Sequence, residues 1–138
     1  MAKVKLTNMI DRANVEAGVL RPDQVRTLEI EALVDTGATN LVLPADVVAA
    51  LGVRELGRRK VRYADGRVEE VPWVGNLMIE ILGREMQGEA LVIAAGHTPL
   101  IGQIPLENLD LIVDPKSREV QVNPASPDMP LMDLLRAS

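Results

Sequence analysis

Asp35-Thr36-Gly37-Ala38 is the segment of this chain whose residue types and spacing could do chemistry. A carboxylate becomes a general base toward water when it shares a site with a second carboxyl. Two such groups about 3 Å apart cannot both ionise, so the pair holds one proton between them. One member takes a proton from a trapped water while the other donates to a peptide carbonyl oxygen, and the two titrate as a unit. No metal and no covalent intermediate are required. The neighbouring residues suit such a carboxylate. Gly37 allows close backbone approach and lets its N–H reach the carboxylate. The Thr36 hydroxyl can bond backbone across a tight junction, and Ala38 is small enough for a substrate to lie against it. The alternative is that Asp and Gly stand here as ordinary turn residues.

Elimination narrows the chemistry further. The chain has no cysteine, which removes disulfides, thiolate catalysis and Cys-ligated zinc. His97 is the only histidine, so a His-rich metal site cannot be built from one copy. A Ser-His-Asp triad would need His97 with Ser117, Ser126 or Ser138, and none of these sits in a Gly-x-Ser-x-Gly elbow. A hydrolase made from this chain would therefore work with carboxylates, and neither a metal nor another cofactor is expected. The net charge of −5 argues against a nucleic-acid partner held by phosphate neutralisation. No apolar stretch approaches the ~20 residues of a membrane span, and no secretion signal is evident, so a cytoplasmic location is the default expectation.

The elements that must position Asp35 read as short strands. The 138 residues allow one domain, 47% of them are apolar, and the aromatics are one Trp and one Tyr. The core is therefore aliphatic, and its β-branched runs favour strands. Residues 3–10 alternate as a half-buried strand, and residues 11–26 read as a long irregular connection. A second strand, with Leu28, Ile30, Ala32 and Val34 inward, runs straight into Asp35. An apolar run at 41–43 leads into a short helix over 44–52, opened by Pro44 and closed by Gly52. Residues 58–73 form a hairpin in which Asp65-Gly66 predicts a type I′ turn, Tyr63 opposite Val68 and Arg62 opposite Glu69. Leu77, Ile79 and Ile81 alternate in a further strand, Gly83-Arg84 turns the chain, and residues 90–94 return. Leu100-Ile101-Gly102 then precedes a helical turn opened by Pro105, which echoes the strand, Gly turn and helix around Asp35. A last hairpin spans 111–122. The pattern predicts an all-β single lobe, a closed barrel with one or two short helices.

The segments ALVDTGATNLVLP, the helix ending in ALGV, the hairpin YADGRVEEV, and PLIGQIPLENLDLIVDP together resemble the retropepsin-type aspartic proteases, specifically the small bacterial single-lobe members. The match runs from about residue 25 to 122 within a lobe of residues 1–122, followed by a Pro-rich tail at 123–138. The resemblance implies a two-fold homodimer with one catalytic aspartate, Asp35, per chain, supported by Thr36, Gly37 and Ala38. It also implies a flap carrying Tyr63, Ala64, Asp65 and Gly66 that closes over a peptide or protein substrate, and a second glycine turn at Leu100, Ile101 and Gly102. The dimer also follows from the chemistry, since a dyad needs two carboxyls and the chain has no second Asp-Thr-Gly or Asp-Ser-Gly. Retroviral members pair an Asp and an Arg where this chain has Thr39 and Gln103, so that ion pair is absent on both sides.

Two functions are compatible with these residues: an aspartic endopeptidase acting through paired Asp35 carboxyls, or a non-catalytic dimer of the same fold that binds peptides or protein partners. A structural β-domain with a chance turn would leave the two Asp35 carboxyls far apart. The basic cluster of Arg54, Arg58, Arg59, Lys60, Arg62 and Arg67 could steer acidic ligands, but it reads first as the solvated face of the hairpin. Tyr63 and Trp73 suit either a flap or a cap on the core. The apolar residues of the tail could occupy a partner's groove, join the dimer interface or mimic substrate, but they read first as packing over the barrel's own open edge.

Overall fold

Alternation begins at the second residue. In β1 (Ala2–Asn8), Val4 and Leu6 are fully buried while Lys3 and Lys5 face solvent. This strand pairs antiparallel with β2 (Thr27–Val34), Val4 opposite Ile30 and Leu6 opposite Leu28. Its other edge pairs with β5 (Val68–Ile81), Leu6 opposite Ile79. Because β1 is bonded on both sides, the sheet closes. The computed structural model describes residues 1–135, and within them the strand order is β1-β2-β7-β3-β6-β5, a six-stranded closed barrel, with β4 (Glu55–Arg62) added outside β5. The remaining barrel strands are β3 (Leu41–Pro44), β6 (Arg84–Ile93) and β7 (Leu100–Ile101). Strands β8 (Leu111–Val113) and β9 (Val120–Val122) pair separately.

The interior is aliphatic: Leu6, Leu41, Leu43, Leu77, Ile79, Ile81 and Ile101 are all at most 1% exposed. At about 25 cal/mol per Å² of apolar surface removed from water, side chains of this kind supply most of the driving force. Less buried residues, most of them polar, alternate with them in β1 and in the second half of β5, which pins the register of those strands. Among the described residues, no helix is long and apolar enough to cross a membrane.

Among the described residues there are three short α-helices, one more than the upper expectation, and the extra one corrects the reading of residues 11–26. The chain leaves β1 at Asn8, whose side-chain oxygen accepts the N–H groups of Ile10 and Asp11 at 3.0 and 3.1 Å. That is an N-cap, and it starts α1 (Met9–Glu16) where the alternating pattern predicted two more strand residues. A 3-10 turn (Pro22–Gln24) follows. The stretch is held by the Asp11 carboxylate, which receives Arg26 Nε at 2.8 Å and Arg26 Nη2 at 2.9 Å. These bonds hold the Asp11 carboxyl below the usual carboxylate range. Asn8 also donates to the Leu51 carbonyl at 2.9 Å, securing the end of α2 (Ala45–Leu51).

Two turns differ from expectation in instructive ways. In the β4–β5 hairpin Arg62 pairs with Val68 and Val61 with Glu69, one step away from the predicted register. The Gly66 N–H bonds the Tyr63 carbonyl and the Tyr63 N–H bonds the Arg67 carbonyl, so the loop has three residues, Ala64 to Gly66. Only Gly66 has positive φ there, at 85°. A turn followed by one left-handed glycine, rather than a type I′ turn, fits this pattern. The two-residue turn of left-handed backbone instead joins β5 to β6, at Leu82 (φ 52°) and Gly83 (φ 79°).

Arg84, read in sequence as a turn residue, is buried, and its guanidinium donates to the carbonyls of Leu109, Asp110 and Ser126. It ties the start of β6 to the segment after β9. The tail is fastened through its backbone and small polar groups, since its apolar side chains do not pack on the barrel. Met129, Leu131, Met132, Leu134 and Leu135 are 64–95% exposed. The last part of the tail, 136–138 with Ser138, lies outside the described residues.

Candidate active site

Strand β2 ends at Val34 and delivers Asp35 onto a loop gripped from both sides. The Asp35 N–H donates to the Ile101 carbonyl at 3.0 Å, continuing the parallel pairing of β2 with β7, and the Ala38 N–H closes a turn onto the Asp35 carbonyl at 3.1 Å. Inside this turn the Gly37 N–H donates to Asp35 Oδ1 at 2.9 Å, which fixes the rotation of the carboxylate. Asp35 is half-buried.

The second glycine turn forms the floor beneath this loop. Gly102 is buried, and a β-carbon on it would stand 2.5 Å from the Asn40 carbonyl oxygen and 2.6 Å from that of Ala38. A glycine here is required by close approach of backbone rather than by a left-handed conformation. From Gly102 the chain enters α3 (Gln103–Asn108), two residues earlier than Pro105 suggested. The first N–H groups of a helix have no partner within it. Here those of Gln103 and Ile104 donate to the Ala38 and Thr39 carbonyls at 2.9 and 2.8 Å. The Asp35 loop thus serves as the cap of α3, which explains the early start.

Gln103 adds a contact that the sequence did not reveal. Its side-chain amide donates to the Thr36 carbonyl at 3.1 Å, so a neutral hydrogen bond ties α3 to the loop in place of an ion pair. Among the described residues the Thr36 hydroxyl makes no hydrogen bond, and the carbonyl of that residue is the engaged group. The signal available in sequence was the glutamine immediately after Leu-Ile-Gly, but its target was fixed only by the fold.

Asp35, Gly37 and Ala38 open onto a cleft of about 910 Å³ whose opposite wall is the β4–β5 hairpin. Tyr63 and Ala64 line this cleft together with Val71 and Trp73, while the tip residues Asp65 and Gly66 lie beyond its walls. Leu100 lines it from β7, whereas Ile101 points into the core. Tyr63 is held by its O–H donating to Glu69 Oε2 at 3.0 Å and by Arg67 stacked 4.3 Å from its ring centroid. Burial, with the Glu69 bond, pushes its phenol above the ordinary tyrosine value. Glu89 on β6 is the other carboxylate lining the cleft. A separate hollow of about 380 Å³ at Lys3, Lys5 and Glu80 contains none of these groups.

The remaining candidates for chemistry fall elsewhere. His97 is exposed in the turn before β7. Ser117 accepts the Glu119 N–H in the β8–β9 turn, and Ser126 donates to Asp110, so neither of these serines is engaged with His97. Among the described residues, no group of three or more His, Cys, Asp or Glu side chains converges to hold a metal ion. One carboxylate, locked in orientation and facing a cleft, can accept a proton from water, but within one copy its loop supplies no second carboxyl to share that proton.

Comparison with known proteins agrees with this geometry. Residues 22–108 match the family model described as "gag-polyprotein putative aspartyl protease". The matched segment opens at the 3-10 turn, includes the Asp35 loop and the hairpin, and closes at the last residue of α3. No curated protein matches the chain.

Proposed function

Since this chain belongs to the gag-polyprotein aspartyl protease family, with its retropepsin-like domain, we propose that it is an aspartic endopeptidase whose active form is a two-fold homodimer. In this reading each copy contributes Asp35 to a shared dyad at the axis. One carboxylate removes a proton from water, the oxygen of that water bonds to the peptide carbonyl carbon, and the partner carboxyl protonates the carbonyl oxygen. Collapse of the tetrahedral intermediate breaks the C–N bond, and a proton passes to the leaving amine. One proton shared between the two carboxyls keeps one base and one acid available at once.

The observation that carries this proposal is the Gly37 N–H bond to Asp35 Oδ1 at 2.9 Å at the wall of the 910 Å³ cleft. A catalytic carboxylate must be held within a fraction of an ångström, and this one is held by its own loop. The cleft volume is in the range of ligand sites, roughly 300–1,000 Å³. Pairing of two copies is supported by Leu33 and Ile104, which flank the loop and remain 44% and 46% exposed in the single chain. Tyr63 on the hairpin supports a flap, since an aromatic held over the cleft excludes water when the hairpin closes.

Digestion of a peptide library tests the proposal. Wild-type chain is expected to cleave and Asp35→Asn to lose turnover by at least about a thousandfold, while both sediment as dimers. Equal turnover by the two proteins would remove Asp35 from the mechanism.

A further inference from the structure

We propose that Arg59, stacked on Trp73 in the cleft wall, forms a carboxylate-binding subsite, so that the peptides this cleft prefers carry an acidic side chain; the inference rests on the reading of the cleft as a peptide site.

The basic run on β4 divides into engaged and unengaged cations. Arg58 is engaged: its Nε meets Glu70 Oε1 at 2.8 Å and its Nη1 meets Glu55 Oε1 at 3.5 Å. Among the described residues, no carboxylate lies within ion-pair distance of Arg59, Lys60 or Arg62. All three line the cleft that holds Asp35. Against them the cleft wall carries two carboxylates, Asp35 and Glu89, so this part of an otherwise acidic protein presents excess positive charge.

Arg59 is more than a solvated surface cation. Its guanidinium carbon sits 4.5 Å from the Trp73 ring centroid, and Trp73 is itself part of the cleft wall. The stack holds the planar fork in place and leaves its N–H edge free, the arrangement in which arginine binds a carboxylate with two parallel hydrogen bonds. The same strand is the last in the sheet, bonded only to β5, so its outer edge has backbone groups open to an extended chain. A peptide lying along that edge would place one set of alternate side chains on the face that carries Arg59 and the intervening set on the opposite face, with Lys60 and Arg62. Cations on an edge strand also discourage pairing between copies, but that role does not call for a guanidinium seated on an indole inside the cleft.

The test uses the whole chain carrying Asp35→Asn, which is expected to hold peptides without cleaving them. Fluorescence anisotropy would compare eight-residue labelled peptides of one sequence in which a single Gln is replaced by Glu at each position in turn. The subsite predicts about tenfold tighter binding for Glu at one or two positions, since a hydrogen-bonded charge pair is worth that much or more. It also predicts that this ratio falls toward one at 0.5 M salt, on adding Arg59→Gln, and further on adding Lys60→Gln with Arg62→Gln. Equal binding of Glu and Gln peptides at every position overturns the inference, and that comparison does not depend on any β4 variant folding. A preference that survives all three substitutions also overturns it, as does tight binding of an oligonucleotide with no Glu preference. Acid-selective binding without cleavage by the wild-type chain upholds the subsite and removes the endopeptidase. Cleavage by the wild-type chain with no acid preference does the reverse, and absence of binding by any peptide removes both.

Discussion

Gly102 lies against Ala38 so closely that a β-carbon on the glycine would stand 2.6 Å from the Ala38 carbonyl oxygen. The loop that carries Asp35 and the loop that starts α3 are therefore packed backbone to backbone, and displacing either one moves the carboxylate.

Gly102→Ala is accordingly expected to act on the site as well as on stability. The added methyl meets backbone on Ala38, Thr39 and Asn40, which cannot rotate aside as a side chain could. Overpacking of this kind costs about 1–3 kcal/mol. A lower denaturant midpoint with an unchanged slope, together with a fall in peptide turnover, is the expected result. An unchanged midpoint would show that the two loops can separate freely.

Gln103→Ala should leave the stability of the chain within about 1 kcal/mol of wild type, because the bond from Gln103 to the Thr36 carbonyl is exposed. Its effect belongs on turnover. Loss of that tether loosens the loop around Asp35, so kcat should fall more than KM rises, as steady-state kinetics on one peptide would show. A pure KM effect would place Gln103 in substrate binding instead.

Acid sensitivity should centre on Asp110. Its carboxylate accepts the Ser126 hydroxyl, the Asn123 side-chain amide and the Leu131 N–H, and these bonds, in that order, bring its carboxyl down from 3.8 to about 2. A carboxyl whose folded pKa is depressed stabilises the fold fully above its unfolded value. The unfolded chain takes up the proton first, so this contribution fades between about pH 4 and pH 2 as acid is added. Denaturant midpoints measured across pH 2–6 should fall in that window for wild type and show a smaller slope there for Asp110→Asn. Equal slopes would mean that Asp110 contributes nothing to acid unfolding.

Leu82→Asn is expected to stabilise the chain. Leu82 holds φ at 52° in the β5–β6 turn and is 55% exposed, so it adopts a left-handed conformation with little packing in return. Asparagine tolerates that conformation better, and relief of roughly 1 kcal/mol would raise the melting temperature by a few degrees. A lower melting temperature would mean that the leucine side chain contributes packing that outweighs the strain.

The barrel was legible because its signals are local. Leu28, Ile30 and Ala32 alternate with Glu29 and Glu31 and mark one face of β2, and Pro44 and Gly52 bracket α2. The helix α1 was missed because its start depends on a single cap at Asn8, inside a run that still alternates through Ile10. Its anchoring partner, Arg26, lies 15 residues from Asp11, a distance that no local pattern spans. The hairpin register slipped by one because Asp65-Gly66 is compatible with either a two-residue or a three-residue loop. At the site, Asp35, Gly37 and Gly102 stand out by residue type. The Gln103 tether and the Arg59–Trp73 stack are contacts between side chains and partners that the sequence keeps apart, and they emerge only once the strands are paired.

Mixing wild-type chain with Asp35→Asn chain tests most directly whether two Asp35 carboxyls act together. With the total concentration fixed and subunits allowed to exchange, a mixed dimer has one carboxyl and cannot share a proton. Peptide turnover per wild-type chain should therefore fall in proportion to the wild-type fraction, so that total activity follows its square. Turnover per wild-type chain that stays constant at every mixing ratio would contradict the shared dyad and show that each Asp35 works alone.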